Sequence, residues 1–190
     1  MVGQVLLANG CSVDHYRRAY QNEDVARIRA MVLARFNERY FDAVGLDAPC
    51  EDQGHGFSMM AVACIAIETL QAFYEGLPDT RGRSAEMFRK FFSNDDLVGR
   101  LSAFNDADWF YTDIRCGILH QAETRGGWRI LRRGELLDRG ARTINAAVFL
   151  AELRGAVKRY ADLLTAGSPR IKNLNTKMEA IIERCHAPAQ

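Results

Sequence analysis

The sequence predicts an all-α, single-domain bundle of five or six helices, with a small β-hairpin inserted before the penultimate helix. Three observations predict it. Apolar residues recur at spacings of three and four in successive stretches. The ends of those stretches carry helix punctuation. No internal repeat and no linker rich in Gly, Pro or Ser divides the 190 residues. Apolar residues make up 48% and charged residues 26%, an ordinary globular composition in a chain long enough to bury a sizeable core. The domain is expected to span 1–190, with a core over about 23–165, an N-terminal extension over 1–21 and a C-terminal helix over about 169–185.

Asn22, followed by Glu23 and Asp24, is expected to cap the first helix and place acids in its first turn. Val25, Ile28, Val32, Phe36 and Tyr40 form its apolar stripe, and Gly45 ends it. The second helix, from about Phe57 to Glu75, is apolar nearly all round and belongs at the centre of a bundle. Glu68 and Gln71 within it, and the glycines bounding it, favour a buried helix over a membrane span. Gly54-His55-Gly56 reads as the loop before it. Ser84 caps a shorter helix holding Met87, Phe88, Phe91 and Phe92, and a further turn or two follows around Leu97 to Phe104.

Asn105-Asp106-Ala107-Asp108 starts the next helix, which continues to about Gln121. The pattern then changes. Gly126-Gly127, Trp128 to Arg132, Arg133-Gly134 and Glu135 to Leu137 read as a β-hairpin. Thr143 or Asn145 caps a long helix with Phe149, Leu153, Val157, Tyr160 and Leu164 on one face. Ser168-Pro169 opens the last helix, with Ile171, Leu174, Met178, Ile181 and Cys185 in its seam.

The net charge of +1 excludes a protein that binds nucleic acid by bulk positive charge. The basic residues are nonetheless 21 arginines and only 4 lysines, and arginine is the better bidentate ligand for phosphate. Seven of those arginines fall in the 28 residues from Arg115 to Arg142, against three acids. Arg125, Arg129, Arg132 and Arg133, with Trp128 among them, are candidate RNA contacts, the indole offering a face on which a base could stack. The five cysteines (Cys11, Cys50, Cys64, Cys116 and Cys185) are scattered without a CxxC pair. That argues against a disulfide framework and a structural zinc site, and fits a reducing cytoplasm. The short apolar run Val5 to Ala8 lacks a basic flank and is too short for a signal peptide. A cytoplasmic protein without membrane attachment, metal or cofactor is expected.

The segment Asp106 to Gln121 carries the candidate chemistry. At about 100° per residue, Ala107, Phe110, Tyr111, Ile114 and Ile118 cluster on one stripe, which should face the core. Measured from Ile114, Arg115 lies at about 100° and His120 at about 240°, with Leu119 and Cys116 between them. Such an outer, half-apolar face invites a second partner, and a two-fold interface there would bring two Arg/His pairs together. A Cys116/His120 nucleophilic dyad is disfavoured, because the helix C-terminus is the negative end of the dipole.

The run Arg115-Cys116-Gly117-Ile118-Leu119-His120 resembles the R-x4-H motif of HEPN domains, an α-helical superfamily containing many metal-independent ribonucleases. The resemblance extends to a buried helix with an acid (Glu68) before the motif and to a long amphipathic helix after it, over about Glu23 to Thr165. It implies a cytoplasmic homodimer with a toxin or defence role, Arg115 and His120 as catalytic residues, and Glu68 and Cys116 in support. It also implies RNA as substrate, a 2′,3′-cyclic phosphate product and an antitoxin or other protein as a partner. One residue departs from the pattern: catalytic members usually place Asn, Asp or His after the arginine, where this chain has Cys116. That departure favours the main alternative, a non-catalytic dimerisation or interaction module binding RNA, nucleotide or protein. A third reading is a small-ligand bundle with a polar pocket around Glu68 and Arg115.

Overall fold

The computed structural model describes residues 2–44, 55–106 and 108–185. The chain is mostly helical, with two small sheets. Strands β1 (Leu6–Ala8) and β2 (Cys11–Ser12) form an antiparallel ribbon that leads into helix α1 (Val13–Gln21). Ser12 caps α1, its side chain accepting the His15 N–H. This segment was expected as an extension, but Leu7, Val13 and Tyr16 are fully buried in the core. It adds a helix to the five or six expected.

Helix α2 (Val25–Phe36) is capped by Asp24, whose carboxylate accepts the Arg27 N–H at 3.1 Å. Asn22 ends α1 instead of starting α2, because Glu23 turns the chain through φ 54° between them. Ile28, Val32 and Phe36 are buried as expected. Beyond Phe36 the helix widens to a π turn over Asn37–Phe41. The wider turn advances the buried stripe by one position, so Phe41 enters the core and Tyr40 is only half-buried. Gly45, expected to end this helix, lies outside the described residues, as do Cys50, Gly54 and Ala107.

Helix α3 (Gly56–Glu75) is the hub, packed against α4 (Ser84–Phe92), α6 (Ala146–Leu163) and α7 (Pro169–Arg184). By length and composition it is long and apolar enough to cross a membrane, and 56% of its most apolar window is buried within this fold. Gly76 in the left-handed conformation ends it. Ser84 begins α4 but makes no cap contact; its hydroxyl is diverted to Glu68.

A 3₁₀ turn (Gly99–Phe104) follows α4. The chain then runs through a π-helical stretch (Phe110–Arg115) into α5 (Cys116–Gln121). Phe88, Phe92, Phe104, Phe110 and Phe149 pack ring against ring beneath it.

The expected hairpin is absent from the described residues. Strand β3 (Arg129–Leu131) and strand β4 (Leu137–Asp138) do not pair with each other. Both pair with β5 (Thr143–Asn145), β3 in parallel and β4 antiparallel, in the order β3-β5-β4. The reason is burial. Ile144 is fully buried, and the Asn145 amide donates to Gly134 O at 2.7 Å, so β5 takes the central place. Asn145 also caps α6, accepting the Ala147 and Val148 N–H groups. The α6 stripe and the first three positions of the α7 seam are buried as expected, while Cys185 is exposed.

Candidate functional site

The inner stripe of the motif helix holds, with Phe110, Ile114 and Ile118 buried. On the outer side Leu119 and His120 are exposed, and Arg115 and Cys116 are partly buried. On an ideal helix, residues five apart stand about 140° from each other and do not touch. Here Arg115 Nη1 nevertheless lies 3.1 Å from His120 Nε2.

Two neighbours aim the guanidinium. The Tyr111 ring lies beneath it, 5.4 Å from Cζ, and is itself braced edge-on by Phe88. On the other side Glu68 of α3 places Oε2 3.8 Å from Arg115 Nη2. Glu68 is fixed in turn, accepting the Thr80 hydroxyl at 2.7 Å and the Ser84 hydroxyl at 2.6 Å.

Arginine has N–H donors only, so a hydrogen bond across this contact uses His120 Nε2 as its acceptor. An imidazole beside a permanent cation is a pairing that can deprotonate a hydroxyl and stabilise the resulting negative charge, once the arginine turns from the ring to the substrate.

Gly117 explains how this short helix and its exit fit together. A Cβ there would stand 2.5 Å from Glu123 O and 3.2 Å from Thr124 Cα. The chain leaving the helix turns at Ala122 and folds back over Gly117, where the Arg125 N–H donates to Asp113 O at 2.9 Å. The close approach holds the loop that begins just beyond His120.

Beside the pair lies a cleft of about 210 Å³ between α3, α5 and α7, whose walls include Glu68, Thr69, Thr80, Arg115, Leu119 and Lys177. Ile65 and Leu119, at its mouth, are 48% and 37% exposed. Cys64, at its base, is fully buried and its thiol is pushed up to about 12 by that burial, so it stays protonated. Lys177 comes from α7 and was not expected here. Its signal was its place three residues after Leu174 and next to Met178, on the edge of the buried seam. A larger cavity, about 450 Å³, lies between the β1–β2 turn, α1 and α2. Tyr16, Ala19, Ile28 and Met31 make much of its wall, and none of the expected catalytic residues reaches it.

The expected RNA-contacting residues are not gathered at this cleft. Arg132 packs its aliphatic stem near Gly56, about 18 Å along α3 from Glu68 at 1.5 Å per residue. Arg129 donates to Ala141 O, and Arg125 and Arg133 are exposed. Trp128 stacks on Trp109 with centroids 4.0 Å apart and planes at 13°, so one of its faces is taken within the fold. Among the described residues no three His, Cys, Asp or Glu side chains come together as a metal-binding group. The chain matches no family model, no curated protein and no solved structure.

Proposed function

We propose that this chain is a HEPN-like, metal-independent endoribonuclease that acts in the cytoplasm as a homodimer, in a toxin or defence role. The observation that carries the reading is the contact of Arg115 Nη1 with His120 Nε2 at 3.1 Å, where Glu68 faces an arginine that also lines a cleft. In the reaction, Arg115 turns from His120 to the bound phosphate, and the freed His120 Nε2 takes the proton of a ribose 2′-OH, a group that DNA lacks. The 2′-oxygen bonds to the adjacent phosphorus, and the bond from phosphorus to the 5′-oxygen breaks. Arg115 holds the non-bridging oxygens as their charge builds. His120 of the second copy, in its protonated form, gives a proton to the leaving 5′-oxygen. The products are a 2′,3′-cyclic phosphate and a 5′-hydroxyl, and no net charge or electron is gained or lost.

Glu68 is a positioning residue, acting through Arg115. Cys116 borders the pair without touching the reacting groups. The exposed Ile65 and Leu119 supply the apolar part of the proposed dimer face. Arg125, Arg129 and Arg133 would meet RNA beyond the cleavage point, where charge and not stacking supplies the grip.

A second reading is favoured by one residue. Cys116 is a poor hydrogen-bond donor where an amide or acid would steady the phosphate, which suits a non-catalytic module that binds RNA, nucleotide or a protein partner. Purified protein incubated with structured RNA and a chelator separates the two. Cleavage that Arg115→Ala and His120→Ala each abolish supports the enzyme. Binding without cleavage, weakening as salt rises, supports the module.

A further inference from the structure

Lys177 lies outside the stretch over which the chain resembles HEPN domains, and the reaction above makes no use of it. It is nevertheless a cation only 9% exposed in the wall of the same cleft as Arg115. A buried ammonium is costly unless it is paired or hydrogen-bonded. Among the described residues its hydrogen-bond partner is Pro78 O at 3.3 Å, which uses one of its three N–H groups.

The nearby carboxylates are committed elsewhere. Glu68 receives the Thr80 and Ser84 hydroxyls and faces Arg115. Asp79 pairs with Arg184 at 2.8 Å. Burial, with Arg184 and Arg35 nearby, pulls the Lys177 pKa down, while Asp79 and Glu68 only partly oppose them. The cleft therefore holds two cations against one carboxylate, with room for a small anion.

We infer that Lys177 forms a phosphate-ester subsite in this cleft, beside Arg115. On the ribonuclease reading, on which that assignment of the occupant rests, the bound group is the RNA phosphate next to the one being cleaved. A free phosphate monoester such as a mononucleotide would meet the same donors. Lysine suits this place as a compact point charge with rotatable donors, while Arg115 provides the planar fork for the reacting phosphate.

Lys177→Met keeps the length and removes the charge, and Lys177→Arg restores it. Both variants are to be assayed for cleavage of a short RNA, for binding of inorganic phosphate and of a 3′-mononucleotide by calorimetry, and for thermal unfolding. Lys177→Met is expected to raise KM about tenfold with kcat little changed, to weaken phosphate binding by a similar factor, and to raise Tm. Lys177→Arg should recover most of the binding. Unchanged KM together with unchanged phosphate affinity would overturn the inference. So would a lower Tm with losses in kcat and KM alike that Lys177→Arg does not rescue, the pattern of a structural lysine. If the unmodified protein cleaves no RNA but its phosphate or mononucleotide affinity still depends on Lys177, the subsite stands for a free monoester and the ribonuclease reading falls alone.

Discussion

Gly117 is buried in α5 between Arg115 and His120, and its replacement by alanine sets two effects of opposite sign against each other. A helical glycine exchanged for alanine ordinarily stabilises by about 0.5–1 kcal/mol. Here the new methyl would sit 2.5 Å from Glu123 O, a backbone atom that cannot swing aside as a side chain can. Restoring ordinary contact moves that carbonyl by about an ångström. The loop resists, because it is tied by the Arg125 N–H to Asp113 O and by the Ala122 N–H to Ile118 O at 3.2 Å. Overpacking of this kind costs about 1–3 kcal/mol. The clash wins, and the net loss is about 1–2 kcal/mol. For a chain of this size that lowers Tm by about 2–8 °C. Thermal and urea unfolding of Gly117→Ala measure it, and RNA cleavage should fall with it because the displaced loop begins beside His120. A Tm above that of the unmodified protein would refute the reasoning, since it would mean that the loop does not press on Gly117.

Three further outcomes are expected. Glu68→Gln leaves the partly buried Arg115 without its counter-charge, which should cost about 1–2 kcal/mol in urea unfolding and lower RNA cleavage about tenfold, with KM moving less than kcat. Leu119→Glu places a charge on the proposed dimer face, so light scattering should give a dimer mass for the unmodified protein and a monomer mass for the variant, with cleavage lost alongside; a monomeric unmodified protein would remove the dimer from the account. Hydrogen bonds from Arg83 and Lys90 hold the Glu86 carboxyl down at about 2 against an ordinary 4.5. Its folded value is the depressed one, so its stabilisation is complete above pH 4.5 and is lost as pH falls from there towards 2. Acid unfolding followed by circular dichroism should therefore be shallower in that window for Glu86→Gln.

The long helices were legible because α2, α6 and α7 each carry an apolar stripe at spacings of three and four, and α3 is apolar nearly all round. Most buried positions of α2, α6 and α7 follow from that spacing, while Val25, Tyr40, Ile181 and Cys185 lie outside the buried set. The candidate site was legible in part for the same reason. The wheel put Arg115 and His120 on the outer face of the motif helix, and Glu68 stood out as an acid in the middle of the apolar helix before it. What escaped depends on contacts between distant segments. Helix α1 has only Val13, Tyr16 and Ala19 to bury, too few for its period to stand out. Strand β5 is three residues long and adjoins a helix cap, so Thr143–Asn145 reads as the start of α6 until two other strands are seen to pair with it. Ser84 has the right place and type for a cap, but the partly buried Glu68 carboxylate competes for its hydroxyl and wins. Lys177 looks like a solvent-facing lysine until α7 docks on α3. Gly117 looks like a weak spot in a helix until the exit loop is found lying on it.

The central claim is that Arg115 and His120, held together at 3.1 Å, cleave RNA without a metal. The most direct measurement is cleavage of a structured RNA in excess chelator by the unmodified protein, Arg115→Ala and His120→Ala, with the product ends identified by mass spectrometry. The account predicts chelator-resistant cleavage that leaves 2′,3′-cyclic phosphate ends and is abolished by each substitution in a protein that still folds. Cleavage that survives both substitutions, or that stops when the chelator is added, would contradict it.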